Sequence, residues 1–170
     1  QIEKITVAPN LQAVRCDAYG RLWVSSSGNK ADLPPRLFVL EHKQAGSAQM
    51  VVTDTLDITC SDMAIHGDSL YFFGLQWSDM EQKNIVSYGI IDLRTKKLVT
   101  RHFITDGSEL AIEKPYGIAI DPSNGDIYIT DAKNYVSSGM LHCYTSQGVK
   151  KWSVRTGDIP AHMAFLFREE

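Results

Sequence analysis

The side chains that could do chemistry in this chain are five histidines, His42, His66, His102, His142 and His162, three cysteines, Cys16, Cys60 and Cys143, and a scatter of carboxylates. Catalysis by such groups needs a nucleophile beside a base, paired carboxylates, or ligands at metal-binding spacing, each held within hydrogen-bond reach. None of these arrangements stands out along the chain. The histidines fall in separate stretches with no HxH or HExxH pattern, the expectation for imidazoles at strand ends or in solvent. A scaffold that gathers ligands from separate repeats around an axis could still bring them together, and His162, just before Met163, is then the candidate metal ligand. The cysteines are widely spaced, odd in number and lack a CxxC pair, so they read as buried free thiols, with one disulfide as the alternative.

Binding is a better use of what the chain carries. Trp77, Tyr116 and Tyr135 lie in polar, turn-rich stretches, and an aromatic ring with a polar tip gives large contact area at small entropic cost, which suits a planar or amphipathic small molecule. Asp131 and Asn134 flank the same stretch as Tyr135 and complete the candidate ligand-binding set of Trp77, Tyr116, Asp131, Asn134 and Tyr135. Asp131 closes an Ile-Tyr-Ile-Thr-Asp run, and an Asp in that place also accepts backbone hydrogen bonds from its own turn. Arg155 and Asp158, in RTGDIP, are expected to tie neighbouring units together. Trp23 and Trp152 sit in alternating patterns and are expected to be packing residues.

The elements that must position these residues are almost all strands. Short apolar or alternating runs rich in Val, Ile, Tyr and Phe recur between turn clusters, and helical periodicity is nearly absent. The runs repeat with a period of roughly fifty residues, in the range of propeller blades. The first repeat reads LQAVRCDAYGRLWVSS, PRLFVLEH, AQMVVTDTL; the second CSDMAIHGDSLYFFG, NIVSYGIIDL, KLVTRHFITD; the third KPYGIAIDPSNGDIYITDA, GMLHCYTSQG, KKWSVRTGD. Leu22, Leu70 and Ile127 occupy equivalent places in the second strand. Asp17-Ala-Tyr-Gly20, His66-Gly67-Asp68 and Asp121-Pro-Ser-Asn-Gly125 supply tight reversals between the first and second strands of each repeat.

A four-stranded hairpin unit leaves a face unburied, and stacking such units radially covers both faces. The expected fold is therefore an all-β propeller of four-stranded antiparallel blades: 11–56, 57–107 and 108–158, with partial blades at 1–10 and 159–170. A two-sheet sandwich is the alternative, but it would not require one motif three times. The two partial blades favour an arc of a longer propeller, with further blades expected, over a ring closed by two copies. The loops joining second to third strands, and each fourth strand to the next first strand, are SSGNKADLPPR, QWSDMEQK and DAKNYVSSG, with DITCSD and GSELAIEKPY. In a propeller they share one face, and binding residues concentrate on such loops.

Composition narrows the partner. The chain is 44% hydrophobic, with 17 basic and 20 acidic residues and a formal charge of -3. No basic run tracks a phosphate backbone, so nucleic acid is not expected as a partner. No apolar run approaches the ~18 residues of a membrane helix, and QIEKITVAPN lacks the pattern of a signal peptide.

The stretch PYGIAIDPSNGDIYITDA resembles the NHL and YncE-like propeller repeats, with their small-residue first strand, Asp-Pro turn and Ile-Tyr-Ile-Thr-Asp second strand. The longer run from Lys114 to Leu166, especially DAKNYVSSGMLHCY and WSVRTGDIPAHMAFL, resembles the C-terminal end of surface-layer-type propeller proteins of Bacteroides-like bacteria. That group includes outer-membrane cobalamin-binding lipoproteins that sit over a TonB-dependent transporter. The resemblance implies an exported, lipid-anchored, seven-bladed protein at the outer membrane or in the periplasm, with no catalytic role and no cofactor of its own. It would capture a small nutrient, cobalamin or another corrinoid, for the transporter. An NHL- or lyase-like enzyme with metal ligands on the axis, or a protein-protein interaction scaffold, are the alternatives.

Overall fold

The computed structural model describes residues 4–29 and 32–166. Twelve strands alternate with turns among these residues, and they form three four-stranded antiparallel sheets. The first sheet holds β1 (Leu11–Cys16), β2 (Leu22–Ser26), β3 (Arg36–His42) and β4 (Met50–Leu56) in that order. The second holds β5 (Asp62–His66), β6 (Ser69–Ser78), β7 (Lys83–Asp92) and β8 (Lys97–Thr100). The third holds β9 (Pro115–Ile120), β10 (Ile127–Asp131), β11 (Ser138–Tyr144) and β12 (Lys150–Asp158). Each sheet is blade-like, a meander in which every strand pairs with the one before it. A short 3-10 turn, Ser108–Ala111, precedes β9. No helix among the described residues is long and apolar enough to cross a membrane.

The chain divides into two compact units, residues 1–63 with 73–87, and residues 64–72 with 88–170. In the first unit the inner strands carry the core: Trp23, Leu37 and Val39 are fully buried and Leu40 nearly so, whereas no residue of β4 is buried. Val24 faces Phe38 and Trp23 faces Val39 across the β2–β3 ladder. Both faces of β2 are covered, which is why two serines, Ser25 and Ser26, are buried in it. Each has a backbone job. The β1–β2 register slips between Leu11 and Val14, so Gln12 and Ala13 oppose Ser25 alone. Such a bulge strands one N–H, and the Ser25 hydroxyl accepts from Ala13 N at 3.1 Å. Ser26 Oγ donates to the Pro9 carbonyl at 2.5 Å and accepts from Gly28 N at 3.0 Å.

The β1–β2 hairpin is governed by Asp17. Its carboxylate accepts from Tyr19 N and Arg21 N within the turn, from Arg21 Nε at 2.7 Å, and from the indole Nε1 of buried Trp23 at 2.9 Å. Burial by itself would raise the pKa of this carboxyl. The bonds from Trp23 and Arg21 outweigh it and hold the pKa below its ordinary value. Trp23 thus packs as expected, and its one polar atom is satisfied by the turn beside it.

In the second unit Ile127 and Ile129 of β10 and Cys143 and Tyr144 of β11 are fully buried, and Phe103 sits edge-on to Tyr71 and Tyr88 at 5.6 and 5.5 Å. The Asp121–Asp126 reversal closes as its residue types suggest: Asp121 accepts from the N–H and Oγ of Ser123, and Gly125 takes a left-handed φ of 76°. Lys151 reaches Asp126 at 2.6 Å from β12. Arg155 bonds Ser138 at 3.0 Å, across its own β11–β12 pair, so it braces one sheet where a tie between sheets was expected. Trp152 is 43% exposed and meets Tyr128 edge-on at 5.9 Å.

The terminal segments read from the sequence as parts of further blades form no strand at 4–10 or 159–166; residues 1–3 and 167–170 lie outside the described residues. The C-terminal segment lies against the third sheet. Phe165 stacks edge-on with Tyr128 at 5.5 Å. Gly117 of β9 has no room for a Cβ because the Ala161 carbonyl occupies that place.

All three cysteines are free. Cys60 and Cys143 are buried, but Cys16 is exposed, because β1 is an edge strand and its last residue points outward.

Candidate ligand-binding site

The first unit carries a cleft of about 650 Å³, within the size range of small-molecule sites. Its walls come from separate stretches: Asn10 and Gln12 ahead of and within β1, the β2–β3 loop from Ser26 to Pro35, Thr59 to Ser61 ahead of β5, and Leu75 to Asp79 at the end of β6. Three of the loops expected to carry binding residues, SSGNKADLPPR, DITCSD and QWSDMEQK, are therefore brought together. Lys30 and Ala31, within the first of them, lie outside the described residues.

Each wall is held by its own hydrogen bonds. Asn10 Nδ2 donates to the Gly28 carbonyl at 2.7 Å, fastening the approach to β1 against the β2–β3 loop. Within that loop Asn29 Oδ1 accepts from Asp32 N and Leu33 N, both at 2.9 Å, in the self-bonded turn asparagine favours. Ser61 Oγ accepts from Leu75 N at 2.9 Å, and Thr59 Oγ1 donates to Gln76 Oε1 at 3.1 Å, so the segment before β5 is tied to the end of β6. Trp77 is 52% exposed, and its Nε1 donates to Asp79 at 2.9 Å. The indole is thereby fixed at its polar edge while about half its surface remains exposed.

The described lining mixes polar and apolar groups. It offers hydroxyls (Ser27, Thr59), amides (Gln12, Gln76) and the carboxylates of Asp32 and Asp79 beside the apolar surface of Leu33 and Trp77; no Lys, Arg or His is among it. Cys60 also borders the cleft, but burial first, and the Asp62 charge second, push its thiol up to about 12. It stays protonated at neutral pH, and a thiol in that state is a poor nucleophile.

The remaining candidates stand together in the second unit. Tyr116 and Tyr135 meet edge-on at 5.7 Å, 40% and 41% exposed, and the Lys114 ammonium lies 4.0 Å from the Tyr135 ring centroid. Tyr135 holds a left-handed φ of 64°. Asp131 is the staple beneath them. A register slip after Thr130 sets it opposite Pro115, and its fully buried carboxylate accepts from Glu113 N at 3.1 Å, Lys114 N at 2.8 Å and Lys133 N at 2.9 Å. Asn134 likewise caps its own loop, accepting from Val136 N, Ser137 N and Ser137 Oγ. These two side chains shape the surface on which the two tyrosines stand. His162 is exposed, and no three His, Cys, Asp or Glu side chains converge on a metal-sized site among the described residues. His142, buried with Nδ1 at 2.8 Å from Ser153 Oγ, has its pKa lowered, chiefly by burial.

Gln12, Asn29, Gln76 and Asp79 were not singled out from the sequence. The signal for two of them is local: Gln76 and Asp79 flank Trp77 in QWSD. Gln12 and Asn29 reach the cleft only through the folded course of the chain.

No family model matches the chain, and no curated protein matches it.

Proposed function

We propose that this chain is a non-enzymatic ligand-binding scaffold, a section of a propeller whose loops capture a small nutrient. The observation that carries this reading is the cleft of about 650 Å³, bounded by separately anchored loops around a half-exposed indole. Rigid strands beneath and adaptable polar loops above are the usual division between scaffold and recognition surface. The reading is supported further by the protonated state of Cys60.

The resemblance of residues 114–166 to surface-layer propellers supports placing the protein at the outer membrane or in the periplasm, within a seven-bladed ring, passing its ligand to a TonB-dependent transporter. In the most specific form of the proposal the ligand is cobalamin or another corrinoid. Titration calorimetry of the full-length protein with cyanocobalamin tests that form: saturable binding at micromolar ligand is expected, and the absence of heat and of a visible-spectrum shift would remove the corrinoid while leaving the cleft to be tested with other ligands.

A further inference from the structure

We infer that the second unit holds a buried water site, bounded by the hydroxyls of Tyr88 and Tyr144 and the carboxylate of Glu109, which ties the 3-10 turn before β9 to β7 and β11. The inference is independent of the cleft in the first unit.

Local hydrogen bonds bring the three side chains to one place. Tyr144 closes β11 opposite Lys150 of β12, whose N–H donates to Asp106 at 2.7 Å. Asp106 also accepts from the N–H and Oγ of Ser108 at 3.0 and 2.6 Å, which fixes the start of the turn that carries Glu109. Tyr88 of β7 packs edge-on against Phe103, at the head of the same segment. Burial first, then the neighbouring Tyr144 and Glu109, push the Tyr88 phenol well above its ordinary pKa. Burial likewise raises Tyr144 to about 12, with Glu109 among the charges that add to it. Both phenols are therefore protonated at neutral pH.

Tyr88 and Tyr144 are 8% and 0% exposed. Their hydroxyls and Glu109 Oε2 are shut off from solvent, and none of the three oxygens has a hydrogen-bond partner among the described residues. Ser108 is close enough to Tyr144 to act on it without completing a hydrogen bond. A buried polar atom with an unmade bond bears its full desolvation penalty, and a carboxylate oxygen bears the most. Three such atoms in one place call for a shared partner. Each phenol both donates and accepts, and Glu109 accepts, so a molecule with two donors and two acceptors answers all of them. Water is that molecule, and interiors use it in this way. A metal cation suits the place less well: neutral phenols are weak ligands, and no three His, Cys, Asp or Glu side chains converge among the described residues. An anion would meet the Glu109 carboxylate.

The test turns on a sign. Removing a hydroxyl that bonds to nothing should stabilise the fold, whereas removing one that bonds to a held water should destabilise it. Thermal unfolding of the full-length protein is compared among wild type, Tyr88→Phe, Tyr144→Phe and the double variant, all of which keep the packed rings. Each single change is expected to lower the midpoint by about 2–4 °C. The double variant should lose less than the sum of the two, because both hydroxyls share one partner. A high-resolution crystal structure of the wild-type protein is expected to show a water within about 3 Å of both Tyr88 Oη and Glu109 Oε2, and it decides the matter without any variant. Unchanged or raised midpoints, strictly additive losses, a direct phenol–carboxylate bond with no water between, or a cation in that place would overturn the inference.

Discussion

Replacing Asp17 with alanine is expected to cost about 3–5 kcal/mol of stability, the range for breaking a buried charge pair by removing one partner. The magnitude follows from what is left behind. Arg21, itself mostly buried, loses its counter-charge at 2.7 Å; fully buried Trp23 loses the acceptor for its indole N–H; and the turn loses the acceptor for two backbone N–H groups. Water cannot reach the indole to replace the carboxylate, so that donor bears the full penalty of an unmade bond. Asp17→Asn should cost less, since it retains one acceptor oxygen, but it turns an NH2 toward donors. Denaturant unfolding at neutral pH, with slopes equal between variants, measures both. The effect carries a sign in pH. Because the folded-state pKa of Asp17 is lowered, its stabilisation is fully present above the unfolded value near 3.8 and is lost as pH falls through the folded one. The gap between wild type and Asp17→Ala should therefore narrow in acid. A gap below about 1 kcal/mol at neutral pH would show that Asp17 does not organise the hairpin.

The second large effect is expected at Gly148, in the turn between β11 and β12. Its φ of 79° already strains any residue with a Cβ, and here the added carbon would come within 2.8 Å of the Phe103 carbonyl carbon. That backbone cannot simply move away. Thr105 N donates to the Gly148 carbonyl and Thr105 Oγ1 to the Gln147 carbonyl, both at 2.9 Å, while the buried Phe103 ring is wedged between Tyr71 and Tyr88. Gly148→Ala should therefore destabilise by about 3 kcal/mol or more, combining backbone strain with lost hydrogen bonds. Gly157→Ala is the control: a Cβ there meets open space, and the change is expected to stay within about 0.5 kcal/mol. Equal midpoints for the two variants would refute the close approach at Gly148.

These two positions also mark where sequence reasoning succeeded and where it stopped. The strands and their turns were legible because their signals are local. Recurring runs rich in Val, Ile, Tyr and Phe identified the strands, the Asp17–Gly20, His66–Asp68 and Asp121–Gly125 reversals identified the hairpins between first and second strands, and Leu22, Leu70 and Ile127 fell in the second strand of each sheet. Asp17 was legible as a turn residue, but its bond to Trp23 was not, since it depends on how an indole six residues away turns within the core. The exposure of Cys16 was missed for a related reason: the sequence does not say which strand of a sheet is the edge. Arg155 was expected to act between units and braces its own strand pair. A long flexible side chain reaches several partners, and only packing chooses among them.

The candidate site was legible in outline. The loops were read as the recognition surface from their length and aromatic content, and three of them do wall one cleft. Its chemistry was not legible, because no single loop has it. Gln12, Asn29 and Thr59 are unremarkable polar residues until the Asn10–Gly28 and Thr59–Gln76 hydrogen bonds draw their segments together. Asp131 and Asn134 were singled out as ligand-site candidates, Asp131 with its own turn as the alternative partner, and each accepts hydrogen bonds from neighbouring N–H groups. The same carboxylate or amide that would attract a ligand is what a tight loop needs to satisfy its own backbone.

The claim at the centre of this account is that ligand seats in the cleft of the first unit. Amide chemical-shift mapping on the isotope-labelled protein tests it most directly, using cyanocobalamin titrated to saturation. Shifts concentrated at residues 26–29, 59–61 and 75–79 are expected, together with the Trp77 indole N–H. Saturable shifts confined to other residues, such as those along β12, would contradict the claim.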